Sequence, residues 1–219
     1  MIHVDYSIID VGCGTGIYLE AQVEHFGNAT VTWVGQEPSG DMLDIAVPKV
    51  PTASFVKAPA EAVPFLSDTF DVLLTSFAFH HFIDKLRALD EFARILRPGG
   101  VLRYANITPE KMPGWVYYRF FPETRENDLE RFWTADRFET ELVGRALETT
   151  VDIDLRRTQR EQCDVLEEFR NRDASQLWTI TESEYQEGLA MAERELSNEA
   201  GVTIDDEMAM ITVEAVKRS

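Results

Sequence analysis

The sequence predicts an α/β chain built on a parallel sheet with helices on both faces, and three observations predict it. Through residue 107, short apolar stretches alternate with segments of helical period, the pattern of repeated βα units. Residues Ile8–Gly16 read Ile-Ile-Asp-Val-Gly-Cys-Gly-Thr-Gly, an apolar strand that ends in an acid and runs through alternating glycines into a helix. Pro98-Gly99-Gly100 separates the strongest helical pattern from the apolar run that follows it. Ligands of such sheets bind outside the carboxyl ends of the strands.

The elements follow in order. Ser7–Val11 is a strand, and Ile17–Phe26 a helix with Gly27-Asn28 as its stop. Val31–Gln36 is the second strand. Ser39 caps a short helix through Ala46, with Asp41 in its favourable first turn. Ala53–Lys57 is a short third strand, and Phe70–Ser76 a fourth, apolar almost throughout, as a strand covered on both faces should be. Phe82, Ile83, Leu86, Leu89, Phe92, Ala93 and Leu96 recur at helical spacing, with Arg94 and Arg97 where the helix dipole favours bases. Val101–Ile107 is the fifth strand. Trp115–Phe121 reads as an aromatic loop ended by Pro122. A helix from Thr134 to about Ala146 and a strand over Thr149–Leu155 come next, then helices near Cys163–Arg172 and Glu182–Leu196. Thr181 and Glu184 make a capping box for the last helix. Met208–Val216 closes the chain as a strand.

Composition bounds the function. A chain of 219 residues is expected to be one domain with a sizeable core and room for an embedded subdomain. No apolar run approaches the ~18 residues of a membrane span, and the start lacks a basic region followed by a hydrophobic stretch. Cys13 and Cys163 are the only cysteines, so a disulfide framework is not expected and a cytoplasmic setting is the default. The net charge of −18 disfavours nucleic acid and anionic membrane as partners, since both would be repelled. Few lysines beside many acids suit a salt-adapted organism or simply an acidic enzyme.

The glycine run carries the chemistry. Glycines bring a ligand directly onto main-chain atoms, and exposed N–H groups at a strand-to-helix junction favour anionic or polar ligand groups. The spacing is G-x-G-x-G, whereas dinucleotide binding uses G-x-G-x-x-G, which argues against a nicotinamide oxidoreductase. Asp10 stands two residues before Gly12.

Asp10-Val-Gly12-Cys13-Gly14-Thr-Gly16 resembles the first motif of class I S-adenosylmethionine-dependent methyltransferases, in particular the methyltransferase type 11 group. Further stretches match in order, including Leu96-Arg-Pro-Gly-Gly100. The resemblance implies a Rossmann-like, doubly wound seven-stranded sheet, mainly parallel with an antiparallel last strand, and a helical cap insert. The core would be residues 1–108 and 205–219, the cap 109–204. The family has a helical segment ahead of its first strand, but Met1 stands only a few residues before that strand here. A truncated or mis-assigned start, an open pocket, or a covering partner subunit (a homodimer being one form) would each account for this.

The same resemblance assigns residues to S-adenosylmethionine and its product S-adenosylhomocysteine. Glu37, in Gly35-Gln-Glu37-Pro38-Ser, falls at the position of the family's ribose acid. Met42 suits an adenine face, and packing of its helix is the competing role. In Ala58-Pro59-Ala60-Glu61, Pro59 replaces the acid that accepts from the adenine amino group, leaving the backbone N–H of Ala60 to meet the adenine edge. Ser76 and Phe77, after the fourth strand, would face the methionine end together with Asp10, Gly12, Cys13 and Gly14.

Methyl transfer needs a general base only where the acceptor must lose a proton early. His80 and His81 are the candidates, helix capping and packing the alternatives; no metal ligand spacing involves His3 or His25. Trp115, Tyr118 and Arg119 are candidates for a substrate wall, an apolar belt for the cap the alternative. Arg170 and Arg172 would meet an acidic substrate or neutralise nearby carboxylates. The function expected is in-line methyl transfer to a small-molecule acceptor; the alternative is a non-catalytic module that binds the cofactor.

Overall fold

A computed structural model describes residues 6–26 and 30–218. The helix stop expected at Gly27-Asn28, and Met1 and His3, lie outside the described residues. The elements are β1 (Tyr6–Val11), α1 (Ile17–Phe26), β2 (Val31–Glu37), α2 (Gly40–Lys49), β3 (Ser54–Lys57), β4 (Phe70–Ser76), α3 (Lys85–Ile95), β5 (Leu96–Ile107), α4 (Val116–Phe120), α5 (Pro122–Arg131), α6 (Ala135–Val143), β6 (Leu147–Glu161), α7 (Gln162–Asn171), α8 (Glu182–Glu195) and β7 (Thr203–Lys217).

The strands form one sheet of seven in the order β3-β2-β1-β4-β5-β7-β6. Pairs β1–β2, β1–β4, β2–β3 and β4–β5 are parallel, and β7 runs antiparallel to its neighbours. The order reverses between β1 and β4, where an open α/β sheet opens its crevice.

The chain divides into two compact units, residues 1–106, 135–152 and 211–219 in the first and 107–134 and 153–210 in the second. Residues 135–152, within the stretch 109–204 expected as the helical insert, belong to the first unit. The reason is aromatic packing, for Phe138 of α6 lies 4.4 Å from the Tyr104 ring and 4.8 Å from that of Phe79.

In the first unit Ile9, Leu73, Phe92, Ile95 and Val213 are fully buried, the apolar face that parallel strands covered on both sides require. Ser39 caps α2 by accepting from the Met42 amide, and Asp84 caps α3 by accepting from the Arg87 amide. The helical spacing from Phe82 thus begins with a 3-10 turn at Phe79–His81, and α3 starts only at Lys85. Arg94 does more than face the helix dipole. Its guanidinium pairs with Glu91 and donates to the carbonyls of Phe65 (2.7 Å) and Val63 (3.0 Å), while Glu91 accepts from the Val63 amide, so α3 holds the 58–65 loop in place.

In the second unit the aromatic stretch is helical where a loop was expected, and Pro122 starts α5 rather than ending the stretch. Proline suits a first helical turn because its missing N–H would have no partner there. Phe121, Phe169 and Tyr185 interlock, with Phe121 5.0 Å from Phe169. Gly188 of α8 is required by this packing, since a Cβ would lie 2.3 Å from the Phe121 ring. The capping box at Thr181 and Glu184 forms as its sequence implies.

Candidate functional site

The first unit carries a pocket of about 520 Å³ at the carboxyl ends of β1, β2 and β4, within the usual ~300–1,000 Å³ of small-molecule sites. Its floor is the turn between β1 and α1. Gly12 and Gly14 have φ of +76° and +54°, conformations that side-chain-bearing residues rarely adopt. The two glycines serve different ends. A Cβ on Gly12 would sit 2.4 Å from the Ala78 Cβ, so Gly12 lets the loop after β4 close against the turn, whereas a Cβ on Gly14 would meet only the Met42 sulfur at 3.7 Å and project into open space.

β2 delivers Glu37 to the same place. One carboxylate oxygen accepts from the Gly14 amide (3.1 Å) and the other from the Ser39 amide (3.0 Å), so the acid is fixed between the glycine turn and the start of α2. Gln36, fully buried, accepts from the Gly12 amide at 3.2 Å and donates to the Ala58 carbonyl, joining the glycine turn to the loop after β3. Glu61 accepts from the Ile83 and Asp84 amides at 2.8 and 3.0 Å and so fixes the loop before α3.

Of the residues expected at the cofactor, Gly12, Cys13, Gly14, Glu37, Pro38, Met42, Ala60, Glu61, Ser76 and Phe77 all line the pocket, as does His81. Asp10 and His80 are buried and absent from its wall. Burial, reinforced by the Glu37 charge, pushes the Asp10 carboxyl up to about 7. Burial and the same acids push the Cys13 thiol up to about 12, so it is no nucleophile at neutral pH. His80 lies against His81, ring centroids 3.9 Å apart with the planes tilted by 42°, and its Nδ1 lies 3.1 Å from the Asn106 amide nitrogen. Because that nitrogen can only donate, Nδ1 accepts and a neutral His80 carries its proton on Nε2.

Pro59, which stands in place of the adenine-binding acid, lines the pocket too; Thr15, Ile17, Tyr18, Ala78, Phe82 and Ile83 also line it and were not singled out by the sequence as contacts. For Ile17 and Tyr18 a signal existed: apolar side chains at the very start of a helix, just past the glycines, must stand beside whatever the glycines hold.

The substrate candidates Trp115, Tyr118 and Arg119 belong to the second unit and have partners inside it. Trp115 and Tyr118 are buried, the Tyr118 hydroxyl donates to Asp128 at 2.9 Å, and Arg119 pairs with Glu195 at 3.0 Å. Arg170 pairs with Glu193 and Arg172 with Glu182, while the Arg172 guanidinium lies over the Tyr185 ring. Among the described residues no group of three or more His, Cys, Asp or Glu is placed to hold a metal, and no helix is long and apolar enough to cross a membrane.

Residues 9–104, the span that holds every element of this pocket, match the family model described as a methyltransferase domain. Over these residues the chain is similar to a methyltransferase domain. The ubiquinone/menaquinone biosynthesis C-methyltransferase UbiE of Campylobacter jejuni is 32% identical over 115 residues, 51% of this chain and 49% of that protein. The chain thus spans about half the length of that relative. Among solved structures, a methyltransferase-fold chain of Anabaena variabilis described as from an antibiotic biosynthesis pathway superposes with a TM-score of 0.75 at 19% identity, over 94% of this chain and 90% of that one. The Haemonchus contortus phosphoethanolamine N-methyltransferase 2, solved with phosphomonomethylethanolamine and S-adenosylhomocysteine, superposes at 0.60 with 18% identity, over all of this chain and 50% of that one. At these identities the structural likenesses establish the fold alone.

Proposed function

We propose that this chain transfers a methyl group from S-adenosylmethionine to a small-molecule acceptor by in-line displacement. The observation that carries the reading is the meeting of the Gly12–Gly14 turn and the buried Glu37 carboxylate at one pocket, with Gly14 open towards Met42.

The residues fit such a group. Each Glu37 oxygen already accepts one backbone amide and retains a second lone pair for a ribose hydroxyl. Pro38 and Met42 offer apolar surface to an adenine, and the Ala60 amide its edge. The backbone of Gly12, Gly14, Ser76 and Phe77 would hold the methionine end. When bound, the cofactor supplies a methyl group on a sulfonium that is already activated. What the protein then contributes is orientation at near-attack distance and exclusion of water. Where the acceptor must lose a proton, His81 on the wall is the base this reading assigns, with His80 behind it fixed by Asn106.

The strong negative charge disfavours nucleic acid as acceptor. One observation favours a second reading, a non-catalytic module: Pro59 lines the pocket where an acid would accept from the adenine amino group. Incubation with labelled S-adenosylmethionine and a panel of phenols, amines, thiols and carboxylic acids separates the two. Methyltransfer predicts S-adenosylhomocysteine formation well above a Glu37→Gln control. Binding without turnover on every acceptor would support the module instead.

A further inference from the structure

Tyr18, in the first turn of α1, and Phe77, directly after β4, stack on one another at the pocket wall. Their ring centroids are 5.4 Å apart and their planes differ by 17°. Tyr18 is 46% exposed, so the pair covers little core, and Phe77 holds a φ of +53°, which bulky residues seldom adopt. Strained backbone of this kind persists where surrounding contacts enforce it and clusters at ligand sites. Here the Phe77 amide is fixed to the Ala105 carbonyl at 2.9 Å.

The charges around the pair are one-sided. Among the described residues no lysine or arginine lines the pocket, and the charged side chains there are Glu37 and Glu61. An anionic acceptor would find no counter-charge there and would approach a chain of net charge −18. Once the residues assigned to the cofactor are set aside, the wall that remains is largely apolar, with Ile17, Tyr18, Phe82 and Ile83 among its members and the His81 imidazole beside them; Phe77, whose backbone is assigned to the cofactor, adds its ring. An aromatic cage for an ammonium needs rings turned towards one common point. Two stacked rings instead leave an outer ring face, the surface on which another ring stacks.

We infer that the Tyr18–Phe77 pair is the acceptor platform of this pocket and that the acceptor is an uncharged planar ring compound. This rests on the methyltransferase reading above, and the test keeps the two apart. Calorimetry on the full chain first establishes S-adenosylhomocysteine binding; its failure removes the functional reading and this inference with it. The saturated complex is then titrated at pH 7.5 with three probes of matched shape: neutral 2-naphthol, anionic 2-naphthoate and cationic 2-naphthylmethylammonium. The inference predicts that 2-naphthol binds at least tenfold tighter than 2-naphthoate and tighter than the ammonium. Tyr18→Ala should weaken 2-naphthol at least tenfold and leave S-adenosylhomocysteine affinity within threefold, and Tyr18→Phe should restore it. Equal or tighter binding of either ion, no binding of 2-naphthol, or indifference to Tyr18→Ala would overturn the inference while S-adenosylhomocysteine binding still stood.

Discussion

Each unit of the chain buries carboxylates, and Asp10 of the first is treated unlike those of the second. In the second unit Asp206 accepts from the amides of Val116 and Glu207 and faces Arg160 at 3.6 Å. Asp128 is lifted to about 6 by burial, but the Tyr118 hydroxyl and the Arg131 charge pull it back down. In the first unit Asp10 is lifted to about 7 by burial, and its named neighbour, Glu37, pushes the same way. Partnered acids hold a fold together. Two like charges beside a glycine turn are a cost to the fold, and such costs collect where a ligand is handled.

The sharpest way to break this comparison begins with packing. Phe121→Ala empties the aromatic centre of the second unit and should cost about 3–5 kcal/mol, the range for buried Phe truncations, read as a shifted urea midpoint. A cost below about 1 kcal/mol would mean that the aromatic cluster is not what stabilises that unit.

Asp10→Asn probes the cost in the first unit. A carboxyl whose folded pKa is raised favours the fold fully below its unfolded value near ~4 and loses that contribution as pH rises through about 7. The wild-type chain therefore pays for a buried charge at pH 8 and not at pH 4. Asp10→Asn should gain about 1–3 kcal/mol relative to wild type between those two pH values, measured by denaturation at each. A difference independent of pH would remove the buried charge from the account.

Glu37→Gln keeps the bulk and one acceptor. It should weaken S-adenosylhomocysteine binding by about 1–3 kcal/mol, the range for leaving a polar ligand group unsatisfied, while unchanged affinity would take Glu37 out of the site. The smallest effect belongs to Pro59→Asp. If the adenine amino group lacks a partner, binding should tighten by about 1 kcal/mol; no gain would mean that another group already meets it.

The first unit was largely legible because its signals are local. The glycine spacing, the Ser39 cap and the apolar run of β4 each lie within a few consecutive residues and were read with nearly the observed boundaries. Glu37 and Met42 could be matched to a motif for the same reason. The second unit was read less well because its logic is non-local. Trp115–Phe121 looked like a loop since its helical partners, Phe169 and Tyr185, lie far along the chain. Pro122 carries two meanings, stop and first turn, and only tertiary context chooses between them. Within the site, Asp10 was placed at the ligand by its motif, and burial beneath the glycine turn is a depth that sequence does not report. The stacking of Tyr18 on Phe77 joins residues 59 positions apart, with a φ that nothing in the Phe77 neighbourhood announces.

The most direct test of the central claim is calorimetric titration of the chain with S-adenosylhomocysteine, with NAD as the control. Micromolar binding of S-adenosylhomocysteine and none of NAD is the predicted result. Absence of S-adenosylhomocysteine binding, or equal binding of NAD, would contradict the assignment of the glycine turn and Glu37 to this cofactor.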